Sequence, residues 1–277
     1  HDVECRVLLP LYRQIAHLGL GAKEVLDAGS LFGGPVSVLS KRESGIDLLL
    51  IDAPHLYDRP GQIYLNESGV DWADNHLRFG LLSWLGAEIG RKGVAGWTPD
   101  IVHAHDWQAG LTPVYVAQSG STAPCILTIH NIAFQGSFPA TTMGALGLDP
   151  QGFTQDGFEY FGQISFLKGG LVHANQITTV SPTYARELMT PEFLASLDPA
   201  GTYHSSDALD AVTLGQGAGK LHNIVVEVCE NFLQRLLPPL EQEVAQPLES
   251  VLVAVRGLTL SNAVAVEADQ VARIERH

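Results

Sequence analysis

Residues 101–131 read IVHAHDWQAGLTPVYVAQSGSTAPCILTIHN, and their pattern of apolar and polar residues indicates the fold class. Short runs at 101–104 and 126–129 place apolar residues on both faces, and a helical pattern over 108–118 lies between them. Strands that are apolar on both faces indicate burial on both sides, as in a parallel sheet covered by helices. A strand, a helix and a second strand in this order predict a βαβ unit.

The same alternation extends over the first two-thirds of the chain. Further strands are predicted at 3–9, 46–53 and 177–180, and further helices at 74–92, 160–172 and 182–189. This order is typical of an α/β domain with a doubly wound, Rossmann-like parallel sheet, which we place at 1–194. Residues 195–277 carry no chemical motif, and we predict an unassigned, mostly helical tail with one helix at 223–237.

Composition and charge exclude several classes of protein. Apolar residues make up 45% of the chain and charged residues 17%, which fits a globular protein and not a disordered one. The net charge of −14 argues against a nucleic-acid partner. No apolar run reaches the ~18 residues that a membrane helix needs, so no membrane partner is expected. The three cysteines are far apart and suggest no disulfide framework, and a cytoplasmic location is predicted.

Polar side chains follow three of the predicted strands at the point where each strand ends. The third, fourth and fifth strands lead into His105-Asp106, His130-Asn131 and Ser181. Ligands of an open parallel sheet bind beyond the carboxyl ends of its strands. We therefore expect these groups to line one crevice.

The residue types in this crevice suit a sugar attached to a diphosphate. Asp106 can accept sugar hydroxyls, and His130 and Asn131 can bind hydroxyl or phosphate oxygens. Trp107 or Phe134 can pack against the apolar face of a sugar ring. Helix N-termini at the same edge direct positive partial charge toward a diphosphate.

Structural interpretations of the same residues stay open. His103 lies within a strand and is interpreted as a packed, hydrogen-bonded side chain. Asp106 would also serve as a helix cap, and Trp107 as part of the core. His103 and His105 form an H-x-H pair of the kind found in metal-dependent hydrolases, but Gln108 stands where the third histidine of that pattern is required. No metal site is predicted.

Five segments carry a resemblance to a known family. They are YDRPGQIYL at 57–65, DWADNHLRFGLLSW at 71–84, HAHDWQAGL at 103–111, TIHNIAFQG at 128–136 and FGQISFLKGGLVHANQITTVSPTYAREL at 161–188. Their order and spacing resemble the N-terminal half of bacterial glycogen (starch) synthases. The resemblance implies the GT-B architecture, in which two Rossmann-like domains enclose the active site. It also implies retaining transfer of glucose from ADP-glucose to the non-reducing end of an α-1,4-glucan.

The resemblance implies roles for positions that match the family's motifs. His130 would be catalytic by contacting the transferred glucose, and Asp106 by organising the glucose pocket. Substrate-binding roles are implied for four more residues: Tyr64, Asn131, His105 and Ser181. ADP-glucose and the glucan are the expected partners, with no metal and no further cofactor.

The chain departs from the family at both ends. It begins after the family's first strand and diphosphate-binding loop, so we predict a truncated protein whose sheet lacks a central strand. The family's second Rossmann-like domain is not recognisable after 194. Two alternatives to an active synthase therefore stay open. One is a catalytically inactive truncated or fused protein with residual glucan or nucleotide-sugar binding, and the other is a different retaining GT-B glycosyltransferase.

Overall fold

The fold is built on one large mixed sheet and one small sheet. The computed structural model describes residues 4–188 and 252–256. Its strands are β1 Glu4–Pro10, β2 Lys23–Leu31, β3 Gly34–Glu43, β4 Ile46–Asp52, β5 Ile101–His105, β6 Cys125–Ile129, β7 Ser137–Pro139, β8 Glu159–Tyr160, β9 Gln163–Ser165, β10 Gln176–Thr179 and β11 Leu252–Arg256. Eight of them form the large sheet in the order β10–β6–β5–β11–β1–β4–β3–β2.

Five strands of the large sheet run parallel and form its buried part. β1 pairs with β4, and β6 lies between β5 and β10, all in parallel register. The four consecutive residues 48–51 of β4 are at most 1% exposed, which is what a run that is apolar on both faces predicts. The α/β class with a Rossmann-like parallel sheet is therefore confirmed. Each of the predicted strands lies within about one residue of its expected bounds.

The helices are α1 Pro54–Tyr57, α2 Asn75–Lys92, α3 Thr112–Gln118, α4 Met143–Leu146, α5 Phe166–His173 and α6 Pro182–Leu188. The longest, α2, packs across β1, β11 and β5 and ends where Gly93 takes a positive φ of 72°. Its apolar stripe, which includes Leu81, Leu85 and Ile89, is buried. Within 4–188 and 252–256, no helix is both long and apolar enough to cross a membrane.

Two predicted helices begin later than expected. The helix predicted at 108–118 is divided into a 3-10 turn, Trp107–Ala109, and α3. The helix predicted at 160–172 begins only at Phe166, because β8 and β9 precede it. Phe161 and Gly162 connect these two strands with positive φ angles of 50° and 75°, which no continuous helix accommodates.

The patterns above do not predict the antiparallel hairpin β2–β3. It extends the parallel group beyond β4 and leaves β2 at one edge of the sheet. All nine residues of β2 are exposed or half-buried, so its sequence carries no continuous apolar signal. The ladder between β2 and β3 shifts register twice, between Glu24 and Leu26 and between Asp27 and Gly29.

The described part of the predicted, mostly helical tail is a single strand, and the rest of that prediction lies outside the described residues. Leu252–Arg256 forms β11, which lies between β1 and β5 and is antiparallel to both. The central position that was expected to be empty is thus filled by a strand from near the other end of the chain. The helix predicted at 223–237 and the end of the one predicted at 182–189 lie outside the described residues.

Candidate functional site

The carboxyl ends of β5, β6 and β10 lie side by side at one edge of the sheet. The parallel register pairs His105 with Thr128, and Thr128 with Thr178. Asp106 follows β5 directly, and its amide donates to the carbonyl of Thr128 at 2.9 Å. His130 follows β6 directly. The residues that were predicted to follow the strands therefore lie along one edge of the sheet.

Three histidines form a cluster at this edge. The rings of His103 and His105 stack with their centroids 4.3 Å apart, and Nδ1 of His105 lies 3.1 Å from Nε2 of His130. Deeper in the sheet, Nε2 of His103 lies 2.6 Å from Oγ1 of Thr128, which is itself 2.6 Å from Oγ1 of Thr178. A chain of hydrogen bonds and stacked rings thus runs from the sheet interior to the half-buried His130.

Burial keeps the two inner histidines uncharged. Burial, with a smaller contribution from His130, lowers the pKa of His103 to about 4. Burial and the two neighbouring histidines hold the pKa of His105 well below its usual value. In the pair of His105 and His130, one ring nitrogen must donate and the other accept. A protonated His130 would donate from Nε2 to the neutral His105.

Asp106 is buried and holds the segment that follows β6. Its Oδ1 accepts hydrogen bonds from the amides of His130 at 2.8 Å and Asn131 at 3.2 Å. Burial raises the pKa of Asp106 to about 6, and these two amides partly offset that effect. The side chain makes no capping hydrogen bond to the 3-10 turn that follows it, so the capping interpretation is wrong.

The backbone of Asp106 is strained. Its φ is 49° and its ψ is −164°, a combination that residues with a side chain rarely adopt. Such a conformation costs about 1–3 kcal/mol and persists only where the surroundings impose it. The two amide hydrogen bonds to Oδ1 are part of those surroundings.

Tyr64 reaches the site from a different part of the chain. It lies between α1 and α2, and its hydroxyl accepts a hydrogen bond of 2.6 Å from the side-chain amide of Gln108. Its ring lies 6.0 Å from that of Trp107 and 5.6 Å from that of Phe79. Trp107 also packs edge-on against Phe79, which supports its interpretation as part of the core. The structure therefore links Tyr64 to the residues that directly follow Asp106.

The loop after β6 is exposed and turns back on itself. Oδ1 of Asn131 accepts a hydrogen bond of 3.0 Å from the amide of Ala133. Phe134 is 59% exposed, which is unusual for a phenylalanine, and it stands three residues after Asn131. Of the two aromatic residues predicted to pack against a sugar, Phe134 is therefore the accessible one.

Ser181 caps a helix in this structure. Its Oγ accepts a hydrogen bond of 3.0 Å from the amide of Tyr184, at the start of α6. The hydroxyl of Tyr184 in turn accepts one of 3.1 Å from the amide of Ile132. Ser181 is thus connected to the loop after His130 through α6, and its predicted substrate-binding role stays a prediction.

Sequence reasoning missed four residues that support the site: Thr128, Thr178, Gln108 and Tyr184. Thr128 and Thr178 are polar positions inside buried strands, and Thr128 shares a face with His130 because side chains alternate along a strand. That alternation is the signal that identifies Thr128. Gln108 and Tyr184 come from helical segments, and their sequence positions give no comparable signal.

No metal centre is found in the described part of the chain. Nowhere in 4–188 or 252–256 do three or more histidine, cysteine, aspartate or glutamate side chains gather in a way that could hold a metal ion. His103 and His105, the H-x-H pair, are instead stacked on one another.

Comparisons with known proteins identify relatives of this chain. The family model of the starch synthase catalytic domain matches residues 1–200. The glycogen synthase of Roseobacter denitrificans is 57% identical over 197 residues, which are 71% of this chain and 41% of that protein. The glycogen synthase of Jannaschia sp. is 48% identical over 212 residues, 76% of this chain and 44% of that protein.

Among solved structures, the catalytic domain of starch synthase IV from Arabidopsis thaliana bound to ADP and acarbose is 28% identical. Its TM-score is 0.49, and the match covers 67% of this chain and 38% of that one. The chain thus spans about two-fifths of the length of the curated relatives it matches. With the family model matched over most of its length, the chain belongs to the starch synthase catalytic domain family.

Proposed function

We propose that this protein is part of a glycogen synthase that transfers glucose from ADP-glucose to the non-reducing end of an α-1,4-glucan, with retention of configuration. The observation that carries the proposal is the group of His105, Asp106, His130 and Asn131 at the carboxyl edge of the sheet, joined by direct contacts. Similarity to bacterial glycogen synthases supports the choice of reaction.

In this proposal the residues act by positioning and by electrostatic stabilisation. His130 contacts the transferred glucose, and the neutral His105 fixes its ring through the contact between Nδ1 and Nε2. Asp106 is mostly ionised at pH 7, because its pKa is about 6, and it orients sugar hydroxyls in the pocket. Tyr64, Asn131 and Ser181 complete the binding site for ADP-glucose. A hydrogen-bonding group that meets the charge of the transition state typically contributes 10²–10³-fold in rate.

The proposal includes no metal, no further cofactor, and no nucleic-acid or membrane partner. It assigns the site to one half of a GT-B cleft. We also propose a cytoplasmic location, which is supported by the free thiols of Cys5 and Cys125, since such thiols persist in a reducing compartment.

The test is incorporation of labelled glucose from ADP-glucose into glycogen, together with calorimetric binding of ADP-glucose. His130→Ala is expected to lower incorporation about 100-fold or more, because it removes a group that acts in the transition state. His17→Ala is the matched control, since His17 is exposed in the 3-10 helix Arg13–Gly19, and it is expected to leave incorporation unchanged.

Binding without turnover, weakened by His130→Ala, would favour the alternative of a nucleotide-sugar-binding protein. Incorporation from another sugar nucleotide in preference to ADP-glucose would favour a different retaining transferase. If ADP-glucose is neither bound nor consumed, the proposed function is wrong.

A further inference from the structure

Tyr64 lies in an irregular loop, so its position depends on contacts with other parts of the chain. Residues 58–74 connect α1 to α2 without forming a helix or a strand, apart from an isolated bridge between Leu65 and Asp71. A side chain that contacts a ligand needs a fixed position, because a misplacement of about 1 Å can cost about 100-fold in rate. The groups that fix this part of the loop therefore matter for any ligand of Tyr64.

Two side chains at the start of α2 hold the loop by its backbone. Nδ2 of Asn75 donates a hydrogen bond of 3.1 Å to the carbonyl of Tyr64. The same carbonyl accepts another, of 3.0 Å, from the amide of Trp72. Nη1 of Arg78 donates to the preceding carbonyl, that of Ile63. Two successive carbonyls of the loop are thus fixed by hydrogen bonds.

Asn75 and Arg78 are also bonded to each other. Nη1 of Arg78 donates to Oδ1 of Asn75 at 2.7 Å, and Nε of Arg78 donates to the carbonyl of Leu56 at 2.9 Å. Residues three apart on a helix are neighbours on its surface, which allows the first of these contacts. A guanidinium group only donates, so it must meet the amide oxygen of Asn75. That bond turns Nδ2 of Asn75 toward Tyr64.

Arg78 is buried to an unusual degree for a charged residue. It is 2% exposed, and its hydrogen-bond acceptors are two backbone carbonyls and the amide of Asn75. The nearby carboxylate of Asp74 forms its ion pair with Arg59 instead. Arginine is seldom fully buried without a paired charge. The hydrogen bonds of its planar fork of donors must therefore offset the cost of burying it.

The side chain of Tyr64 is held as firmly as its backbone. Its ring lies 5.6 Å from that of Phe79, which directly follows Arg78 in α2. Its hydroxyl accepts a hydrogen bond of 2.6 Å from Gln108, two residues after Asp106. The start of α2 thus fixes where the side chain leaves the loop, and Gln108 fixes where it ends.

We propose that Asn75 and Arg78 are positioning residues that present Tyr64 to a sugar nucleotide in the cleft. They act through the carbonyls of Ile63 and Tyr64, which set the direction in which the tyrosine ring leaves the loop. The identity of the ligand rests on the function proposed above. The fixing of the loop does not, and it is measured separately.

The experiment uses Asn75→Asp in the purified full chain to separate position from stability. Aspartate keeps an acceptor for Arg78 and adds an ion pair, so the melting temperature should not fall. It also replaces the donor to Tyr64 by a carboxylate oxygen, which repels the carbonyl. We expect calorimetry to show an affinity for ADP-glucose that is weaker by about tenfold. Hydrogen exchange at the amide of Trp72, which shares that carbonyl, should be faster by about tenfold or more.

Asn66→Asp is the matched control. It adds the same charge to the same loop but keeps the Oδ1 acceptor of the amides of Ser68 and Val70. The affinity for ADP-glucose and the exchange at Trp72 should both stay unchanged.

A double variant shows whether Asn75 acts through Tyr64. Tyr64→Ala should weaken the binding of ADP-glucose by itself, and Asn75→Asp should then weaken it no further. Arg78→Lys in the otherwise unsubstituted chain should give the same loss as Asn75→Asp, because lysine cannot replace the fork of donors.

An Asn75→Asp protein that binds ADP-glucose as tightly as the unsubstituted one would overturn the proposal. So would losses that add in the double variant, because Asn75 would then affect the ligand by another route. If the unsubstituted protein does not bind ADP-glucose, the proposed function is wrong. In that case unchanged exchange at Trp72 overturns the positioning of Tyr64 as well, and faster exchange supports it.

Discussion

At the scale of single residues, Asp106 combines two roles that oppose each other energetically. It holds the amides of His130 and Asn131, which shapes the loop after β6. It is also only 4% exposed, which disfavours its charge. A protein keeps such a carboxylate only where the charge or the geometry is needed.

Replacing Asp106 by asparagine should therefore stabilise the protein at neutral pH. The native pKa of about 6 lies above the ordinary value of 3.8, so the native state binds this proton more tightly than the unfolded chain. The free energy of unfolding then falls as pH rises from about 4 to about 6. Asp106→Asn removes that loss, and we expect a gain of up to about 3 kcal/mol at pH 7.5 that vanishes below pH 4. Urea unfolding at the two pH values measures it.

Asp27→Asn is the matched control for this prediction. Oδ1 of Asp27 also accepts a hydrogen bond from a backbone amide, that of Gly29, but the residue is exposed. Its substitution should change the free energy of unfolding by little at either pH. If Asp106→Asn instead lowers the free energy of unfolding at pH 7.5, this prediction is wrong. The charge of Asp106 would then strengthen its two hydrogen bonds from the backbone amides by more free energy than the burial of that charge costs.

The site residues that could be predicted are those that directly follow strands. His105, Asp106, His130 and Asn131 were predicted to share a crevice because parallel strands end at one edge, and the structure brings them together. The direct contact between two histidine rings could not be predicted, since it depends on side-chain packing that no spacing encodes. Their roles in substrate binding and catalysis stay predictions.

At the scale of the elements, close packing of α5 against the segment that begins α3 depends on glycines. A Cβ atom on Gly110 would lie 2.8 Å from the carbonyl carbon of Phe166, and one on Gly170 would lie 2.7 Å from the carbonyl oxygen of Gly110. Both contacts are with backbone atoms, which cannot rotate away as a side chain can. The two segments meet backbone to backbone next to Trp107 and the residues after Asp106.

Gly110→Ala should therefore destabilise the protein, whereas Gly144→Ala should not. Overpacking against backbone costs about 1–3 kcal/mol, which corresponds to a melting temperature lower by roughly 2–12 °C for a domain of this size. Gly144 lies in α4 with nothing within 4 Å of its added Cβ, so alanine there should be neutral or slightly stabilising. Thermal unfolding followed by circular dichroism compares the two. Equal melting temperatures would mean that α5 can move aside at no cost.

Element boundaries were predictable where a single apolar signal covers the whole element. α2 was predicted almost to the residue, since its buried stripe continues to Ile89, one turn before Gly93 ends the helix. The start of α5 was misplaced because β9 passes directly into it, with Ser165 as the last strand residue and also the helix cap. The buried residues continue through that junction from Ile164 to Phe166, and only the backbone hydrogen bonds change.

At the scale of the whole molecule, one side-chain contact connects two parts of the large sheet, β1 and the segment that leads into β5. The indole N–H of Trp97, just before β5, donates to a carboxylate oxygen of Glu4 in β1 at 2.6 Å. The guanidinium of Arg6, also in β1, lies 4.4 Å from the centre of the same ring. Trp97 is 3% exposed, whereas Glu4 is exposed and Arg6 half-buried, so these contacts lie where the core meets the solvent.

Trp97→Phe should lower stability because it removes the bond to Glu4 and weakens the contact with Arg6. A hydrogen bond to a charged group contributes about 1.5–3 kcal/mol, so we expect a melting temperature lower by roughly 3–12 °C. Glu4→Gln keeps an acceptor for the indole and should lose less. Differential scanning calorimetry measures both, and a Trp97→Phe protein that melts like the unsubstituted one would contradict a connecting role.

The overall architecture could be predicted only as far as local patterns reach. The five parallel strands follow from runs that are apolar on both faces. β11 could not be predicted, because its partners are distant in sequence and its five residues lie in an Ala/Val-rich stretch that also fits a helix. Pairing over such distances is decided by an available place in the sheet, and a sequence pattern does not contain that information.

The irregular strand β2 has a consequence for the protein at high concentration. A regular edge strand presents a continuous row of unpaired backbone N–H and C=O groups. A strand of another molecule can pair with this row, and such pairing leads to aggregation. β2 breaks that row twice, at the register shifts near Val25 and Ala28, and bulges of this kind bend and twist a strand. At the opposite side, β10 is only four residues long. Among the described strands, both edges of the large sheet are therefore poor templates for strand addition, which disfavours aggregation through these two edges.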